Sequence, residues 1–285
     1  MATPSPTNSD FRLAVLIDAD NVPPHNVRGM MAEIARYGTP TIKRIYGDFT
    51  KPNLTQWKSR LLDYAISPIQ QFSYTTGKNS TDSAMIIDAM DILYTDRIDG
   101  FVLVSSDSDF TKLATRLRES GKTVYGFGEM KTPNPFIAAC DRFIYLEIID
   151  QHVDEDADHE KDAPARPAAR TSKTTTRKEP DKKSASDRRQ TSSPVKKDDR
   201  GIRKVDKELV NLINSSIRDV EDENGWAFLA EVGNLIVKKQ PSFDSRNYGY
   251  DKLTTLVRSI GKYDIEMRDT GNPNVKLVYL KIKNR

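Results

Sequence analysis

The chain has 285 residues, 37% hydrophobic and 30% charged, and its formal net charge is +3. The low apolar share argues against one compact globule and for two modest domains with a solvated stretch between them, and so small a net charge does not by itself mark a nucleic-acid binder. A lone cysteine, Cys140, excludes an intramolecular disulfide framework and fits a reducing, cytoplasmic compartment.

The opening segment MATPSPTNSD has neither the basic nor the apolar part of a signal peptide and is expected to be a flexible N-terminus, residues 1–10. From there to about residue 150, short apolar runs alternate with amphipathic stretches. RLAVLID, PTIKRIYG, SPIQQFSY, GFVLVSSD, KTVYGFG and RFIYLEI read as strands. Helices are expected from the Pro23–Pro24 pair to about Tyr37, over Asn53–Ala65, Ser80–Tyr94 and Ser108–Ser120, with a short turn near Pro135. Strands alternating with helices imply an α/β domain, a mostly parallel sheet flanked by helices, in which sites gather at the carboxyl ends of strands.

Residues 151–201, and most sharply Asp154–Arg200, hold almost no large apolar side chain and are rich in Lys, Arg, Asp, Ser, Thr and Pro. Such a segment cannot offset its ordering entropy and reads as a disordered charged linker. Residues 202–285 then read as a small winged-helix domain. Helices are expected over Ile202–Val220, Trp226–Lys239 and Tyr250–Ile260, followed by a hairpin from YDIEMRD and VKLVYLKIK around TGNPN. No apolar run approaches the roughly 20 residues that span a bilayer, so no membrane partner is expected.

The chemistry is concentrated in the acids. VLVSSDSDF begins as a buried strand and ends in Asp107 and Asp109, one residue apart, which repel each other unless a cation intervenes. The first strand ends in LIDADN, so Asp18 leaves the sheet at the same end if the two strands are parallel; Asp20 shares its side only while the strand lasts. Asp82 projects along the apolar face of its helix with Met85, Ile86, Ala89 and Leu93, whereas Asp88 falls on the polar side and reads as a surface acid. Asp18, Asp82, Asp107 and Asp109 could therefore meet at one rim. All-oxygen donors suit Mg²⁺ or Mn²⁺. Zinc lacks its usual ligands, with one Cys and only His25 before the linker, apart from His152 at the linker's edge.

Asn21, Ser105 and Ser106 could orient ligands through hydrogen bonds, or simply cap turns. Lys78, in TTGKNSTD, is a candidate phosphate contact, and Lys43, Arg44, Lys51 and Lys58 could steer a strand, although single lysines are usually solvated surface. Tyr46, Phe49, Trp57 and Tyr74 could stack bases or fill the core.

Together IDADN, KNSTDSAMIIDAM and VLVSSDSDFTKLATRLRESGKTVYGFG resemble the NYN domains of the PIN-like nuclease superfamily, across Phe11 to about Ile149. The signature Ser-x-Asp-x-Asp-Phe, here Ser105, Asp107, Asp109 and Phe110, carries most of the likeness; Ser106 stands where many members have Gly. The resemblance implies that Asp18, Asp82, Asp107 and Asp109 form the metal site, with Asn21 and Ser105 assisting. Residues Lys204–Lys283 resemble a LOTUS domain, also called OST-HTH, through Gly225, Trp226, Phe243, Tyr248, Gly249, Leu253 and the terminal hairpin. Domains of this type bind RNA, including structured G-rich RNA, and some contact helicases, so RNA and a protein partner are both expected. Lys238, Lys239, Arg246, Lys252, Arg258 and Lys262 are consistent with phosphate contacts or with a solvated surface. Trp226, Phe228, Leu229, Leu253 and Leu256 read as core.

The leading expectation is a metal-dependent ribonuclease acting endonucleolytically on single-stranded RNA, with a C-terminal capture module on a tether that lets the catalytic domain search. The alternatives are a non-catalytic RNA-binding adaptor and a haloacid dehalogenase-type phosphatase, which the DAD triplet would serve.

Overall fold

The computed structural model describes residues 11–72, 80–95, 97–149, 202–269 and 276–283. The expected N-terminal tail and charged linker, with Tyr74 and Lys78, lie outside the described residues.

Six strands, β1 (Arg12–Asp18), β2 (Thr39–Gly47), β3 (Ser67–Gln70), β4 (Gly100–Val104), β5 (Thr123–Gly128) and β6 (Arg142–Tyr145), form one sheet in the order β3-β2-β1-β4-β5-β6. Every neighbouring pair is parallel. Strands β1 and β4 lie at the centre and are almost wholly buried, as their unbroken apolar sequence requires of strands covered on both faces. Helices α1 (Val27–Ile34), α2 (Trp57–Asp63), α3 (Ser80–Thr95), α4 (Thr111–Glu119) and α5 (Asn134–Ala139) supply the crossovers. Because strand–helix–strand crossovers are right-handed, α1 and α2 cover one face and α3, α4 and α5 the other. The chain reverses its direction of travel across the sheet between β1 and β4, the switch point at which sheets of this kind place their sites, beyond the carboxyl ends of the strands.

Several expected helices are shorter because they start as 3-10 turns. Pro24–Asn26 precedes α1, Pro52–Leu54 precedes α2 and Ser108–Phe110 precedes α4. In the first two the proline has no amide to give to an α-helical ladder, so the first turn tightens.

The C-terminal unit packs helices α6 (Lys207–Arg218), α7 (Leu229–Lys239) and α8 (Leu253–Ile260) against an antiparallel sheet of order β7-β9-β8, with β7 (Ala227–Phe228), β8 (Tyr263–Asp269) and β9 (Lys276–Ile282). Asp206 caps α6 by accepting from the Leu209 amide at 2.8 Å. Leu209, Ile213, Ile217, Val232, Ile236 and Leu256 fill the core, each worth about 1.5–3 kcal/mol by burial.

The expected helix from Trp226 is corrected: Ala227 and Phe228 are extended and pair with Leu280 and Tyr279. Gly225, at φ 78°, turns the chain, and the Asp222 carboxylate accepts from the Trp226 amide at 2.9 Å, so a strand pairing prevails over local helix propensity. Trp226 and Phe228 are accordingly not core residues. They are partly buried, with Phe228 against Tyr279 at 5.5 Å between centroids and the Arg268 guanidinium 5.5 Å from the Trp226 ring and 4.0 Å from that of Tyr279.

The two units are in contact. The Phe143 amide, on the outer edge of β6, donates to the Pro241 carbonyl at 2.9 Å, which covers a strand edge that would otherwise be open. Arg246 donates to both carboxylate oxygens of Glu33 at 2.8 and 3.0 Å and also to Asp244. Arg142 of β6 reaches Asp244 at 3.4 Å, and Arg203 donates to the Tyr145 hydroxyl at 3.2 Å while lying over its ring.

Candidate functional site

The switch point is built by register. Ile17 of β1 is opposite Val104 of β4, so the next residues, Asp18 and Ser105, emerge side by side. Ser105 Oγ donates to Asp18 Oδ2 at 2.9 Å, Asn21 Nδ2 donates to the same oxygen at 2.6 Å, and the Asp20 amide donates to Oδ1 at 3.1 Å. Asp18 is 1% exposed. Burial pushes its carboxyl above the ordinary carboxylate range, against the pull of the Asn21 and Ser105 hydrogen bonds.

Beyond Ser105 the chain leaves the sheet and tightens into the 3-10 turn, whose second amide the Asp107 side chain caps, accepting from Asp109 N at 2.9 Å. This is the capping role such an Asp commonly takes, and it turns Asp107 and Asp109 toward the N-terminal turn of α3. There Asp82 completes the group: one carboxylate oxygen from each of Asp82, Asp107 and Asp109 lies within 4.8 Å of the others. The Asp82 carboxyl is pushed up to about 6, first by burial and then by the charges of Asp18, Asp107, Asp109 and Asp20. All four charges named are negative. Asp18 thus stands beside the three-acid group but not within it.

The remaining candidates separate clearly. Ser106 accepts from the Glu129 amide at 2.8 Å and anchors the loop after β5. Tyr46 and Trp57 are fully buried, so they belong to the core, and Phe49 packs against it. Lys43 donates to the Tyr64 carbonyl. Arg44 and Tyr46, both on β2, donate to Asp88 of α3, so Asp88 is an anchor between helix and sheet rather than an ordinary surface acid. Cys140 is buried, as its small-residue setting implied. In the C-terminal unit Lys238, Lys252, Arg258 and Lys262 are exposed, whereas Lys239 is held by Asp219 at 2.6 Å. Arg246, expected at an RNA surface, is corrected: its side chain is 13% exposed and committed to Glu33 and Asp244. The signal missed in the sequence was Glu33, an acid on the buried side of α1 whose partner lies in another domain.

Comparison with known proteins agrees with this architecture. The family model described as the NYN domain matches residues 12–147, and that described as the OST-HTH/LOTUS domain matches residues 201–275. The chain carries an NYN domain followed by an OST-HTH/LOTUS domain. NYN domains have the fold of PIN-like nucleases, and the six-stranded parallel sheet flanked by helices conforms to it; OST-HTH/LOTUS domains bind RNA. No curated protein matches the chain. Among solved structures, a protein of unknown function from Vibrio parahaemolyticus is 20% identical, with a TM-score of 0.40 over 47% of this chain and 91% of its own. An uncharacterized protein from Nitrosomonas europaea is 31% identical, with a TM-score of 0.26 over 37% of this chain and 93% of its own. Among the described residues no helix is long and apolar enough to cross a membrane.

Proposed function

We propose that this protein is a divalent-metal-dependent ribonuclease that cleaves single-stranded RNA endonucleolytically in its NYN domain and captures RNA through its OST-HTH/LOTUS domain. The observation that carries the proposal is the convergence of Asp82, Asp107 and Asp109 from two separate segments onto one point, with Asp18 beside them, where the sheet opens. The donor set fits the ion: all donors are hard oxygens, and the charges of Asp18, Asp107, Asp109 and Asp20 all act on Asp82 in the same direction, which a divalent cation would offset.

Asp82, Asp107 and Asp109 would hold Mg²⁺ or Mn²⁺, and Asp18 would add negative charge from the rear of the site. When bound, such an ion polarises a phosphoryl oxygen and lowers the pKa of its water. The chain's own contribution is preorganisation. Ser105 and Asn21 hold the Asp18 carboxylate in one orientation, and the Asp107 cap fixes the turn that aims Asp107 and Asp109. Exposed Lys238, Lys252 and Arg258 of the OST-HTH/LOTUS domain would meet RNA phosphates.

The phosphatase alternative is less well supported, because the buried Asp18 carboxylate accepts three hydrogen bonds and the chemistry it would serve does not call for the group formed by Asp82, Asp107 and Asp109. Labelled single-stranded RNA incubated with the protein and Mn²⁺ should be cut, and Asp107→Asn should abolish the cutting. RNA bound but left intact by the wild type would instead make the protein a non-catalytic adaptor.

A further inference from the structure

The contact between the domains has the chemistry of an interior. Glu33 is 6% and Asp244 8% exposed, and Arg246, at 13%, donates to both acids. Tyr37 also donates to Glu33, at 2.8 Å, and Arg142 lies over the Tyr37 ring at 5.3 Å while approaching Asp244. Separating the domains would leave the Arg246–Asp244 pair intact but would take from Glu33 its bidentate guanidinium and from Asp244 the approach of Arg142, a costly loss for charges closed to solvent. The contact is also directional. A bidentate guanidinium–carboxylate pair accepts one orientation, the Phe143–Pro241 bond fixes the sheet edge, and Arg203 on Tyr145 adds a further point at the opposite end of β6. A docked unit of this kind does not search at the end of a tether, so the expected independent movement of the catalytic domain is replaced by a fixed separation.

We infer that the Glu33–Arg246–Asp244 contact makes the two domains a molecular ruler, so that RNA held by the OST-HTH/LOTUS domain is cut at one set distance from the held segment. The inference rests on the ribonuclease reading above and adds cleavage-position specificity to it. Arg246 and Glu33 are positioning residues in this scheme: neither belongs to the acid cluster, and both act through the placement of one domain against the other.

The test uses a 5′-labelled RNA with a guanine-rich anchor followed by a long oligouridine tail, with the full-length protein and Mn²⁺. The wild type should give a narrow set of products at one distance from the anchor, and Arg246→Ala should spread the cuts along the tail. Where Arg246→Ala fails to fold, Glu33→Gln and Arg203→Ala, which remove single points of the contact, should spread them to a lesser degree. Small-angle scattering without RNA should show a compact wild type and an expanded Arg246→Ala variant. Evenly spread cuts from an active wild type, or an unchanged product pattern in all folded variants, would overturn the ruler alone. A wild type that cuts nothing overturns the ribonuclease reading and the ruler with it, and the scattering result then decides only whether the domains dock.

Discussion

Ser105 Oγ and Asp18 Oδ2 meet at 2.9 Å across two neighbouring parallel strands, at a point where both residues are closed to solvent. A carboxylate so placed depends on every donor it has, since burial alone disfavours its charge. Ser105→Ala removes one donor and should destabilise the protein by about 1–3 kcal/mol. Urea unfolding in the absence of metal measures it, and an unchanged midpoint would show that the bond contributes nothing.

Asp82 sets function against stability. Without metal, the acids around it repel, so Asp82→Asn should raise the melting temperature of the metal-free protein. Mn²⁺ should then stabilise the wild type but not the variant, because an ion that binds only the folded state raises its stability. Differential scanning calorimetry with and without Mn²⁺ decides the matter; equal shifts in both proteins would remove Asp82 from the metal site.

The Glu33 carboxyl has its own pH signature. Burial acts to raise its pKa, but the Arg246 hydrogen bonds and charge, with Tyr37 and Arg36, outweigh that and hold it at about 2; Asp244, facing the same guanidinium, is also lowered. A depressed acid contributes stability that is present above its unfolded pKa of 4.5 and is lost as the pH falls toward about 2. The stability gap between the wild type and Glu33→Gln should therefore be widest near neutrality and shrink between about pH 4.5 and 2. Denaturant titrations across that range check it, and a gap independent of pH would contradict it.

Gly128, the last residue of β5, leaves no room for a side chain. An added Cβ would sit 2.5 Å from the Ser105 carbonyl oxygen and 2.8 Å from Thr132 Oγ1. Gly128→Ala must displace backbone beneath the acid pocket, and should cost about 1–3 kcal/mol. It should also weaken Mn²⁺ binding, measured by titration calorimetry. A variant as stable as the wild type would mean that the strand end is looser than this packing implies.

Much of the molecule was legible in the order of its residues, because side-chain periodicity reports directly which face of a local element is buried. The apolar runs of β1 and β4 announced parallel strands, their terminal acids marked the rim where the carboxylates gather, and Asp82 betrayed itself by sharing a helix face with Met85 and Ala89. The turn of Gly225 was harder: Trp226–Phe228 fits a helix locally, and only pairing with β9 made it a strand. Asp88 looked like surface until Arg44 and Tyr46 of another element closed on it. Arg246 looked like an RNA contact for the same reason. A basic residue shows its charge in the sequence but not its partner, and that partner, Glu33, lies 213 positions away. Periodicity acts over one or two turns of chain, whereas the docking of the domains depends on shape and buried charge that exist only once both are folded.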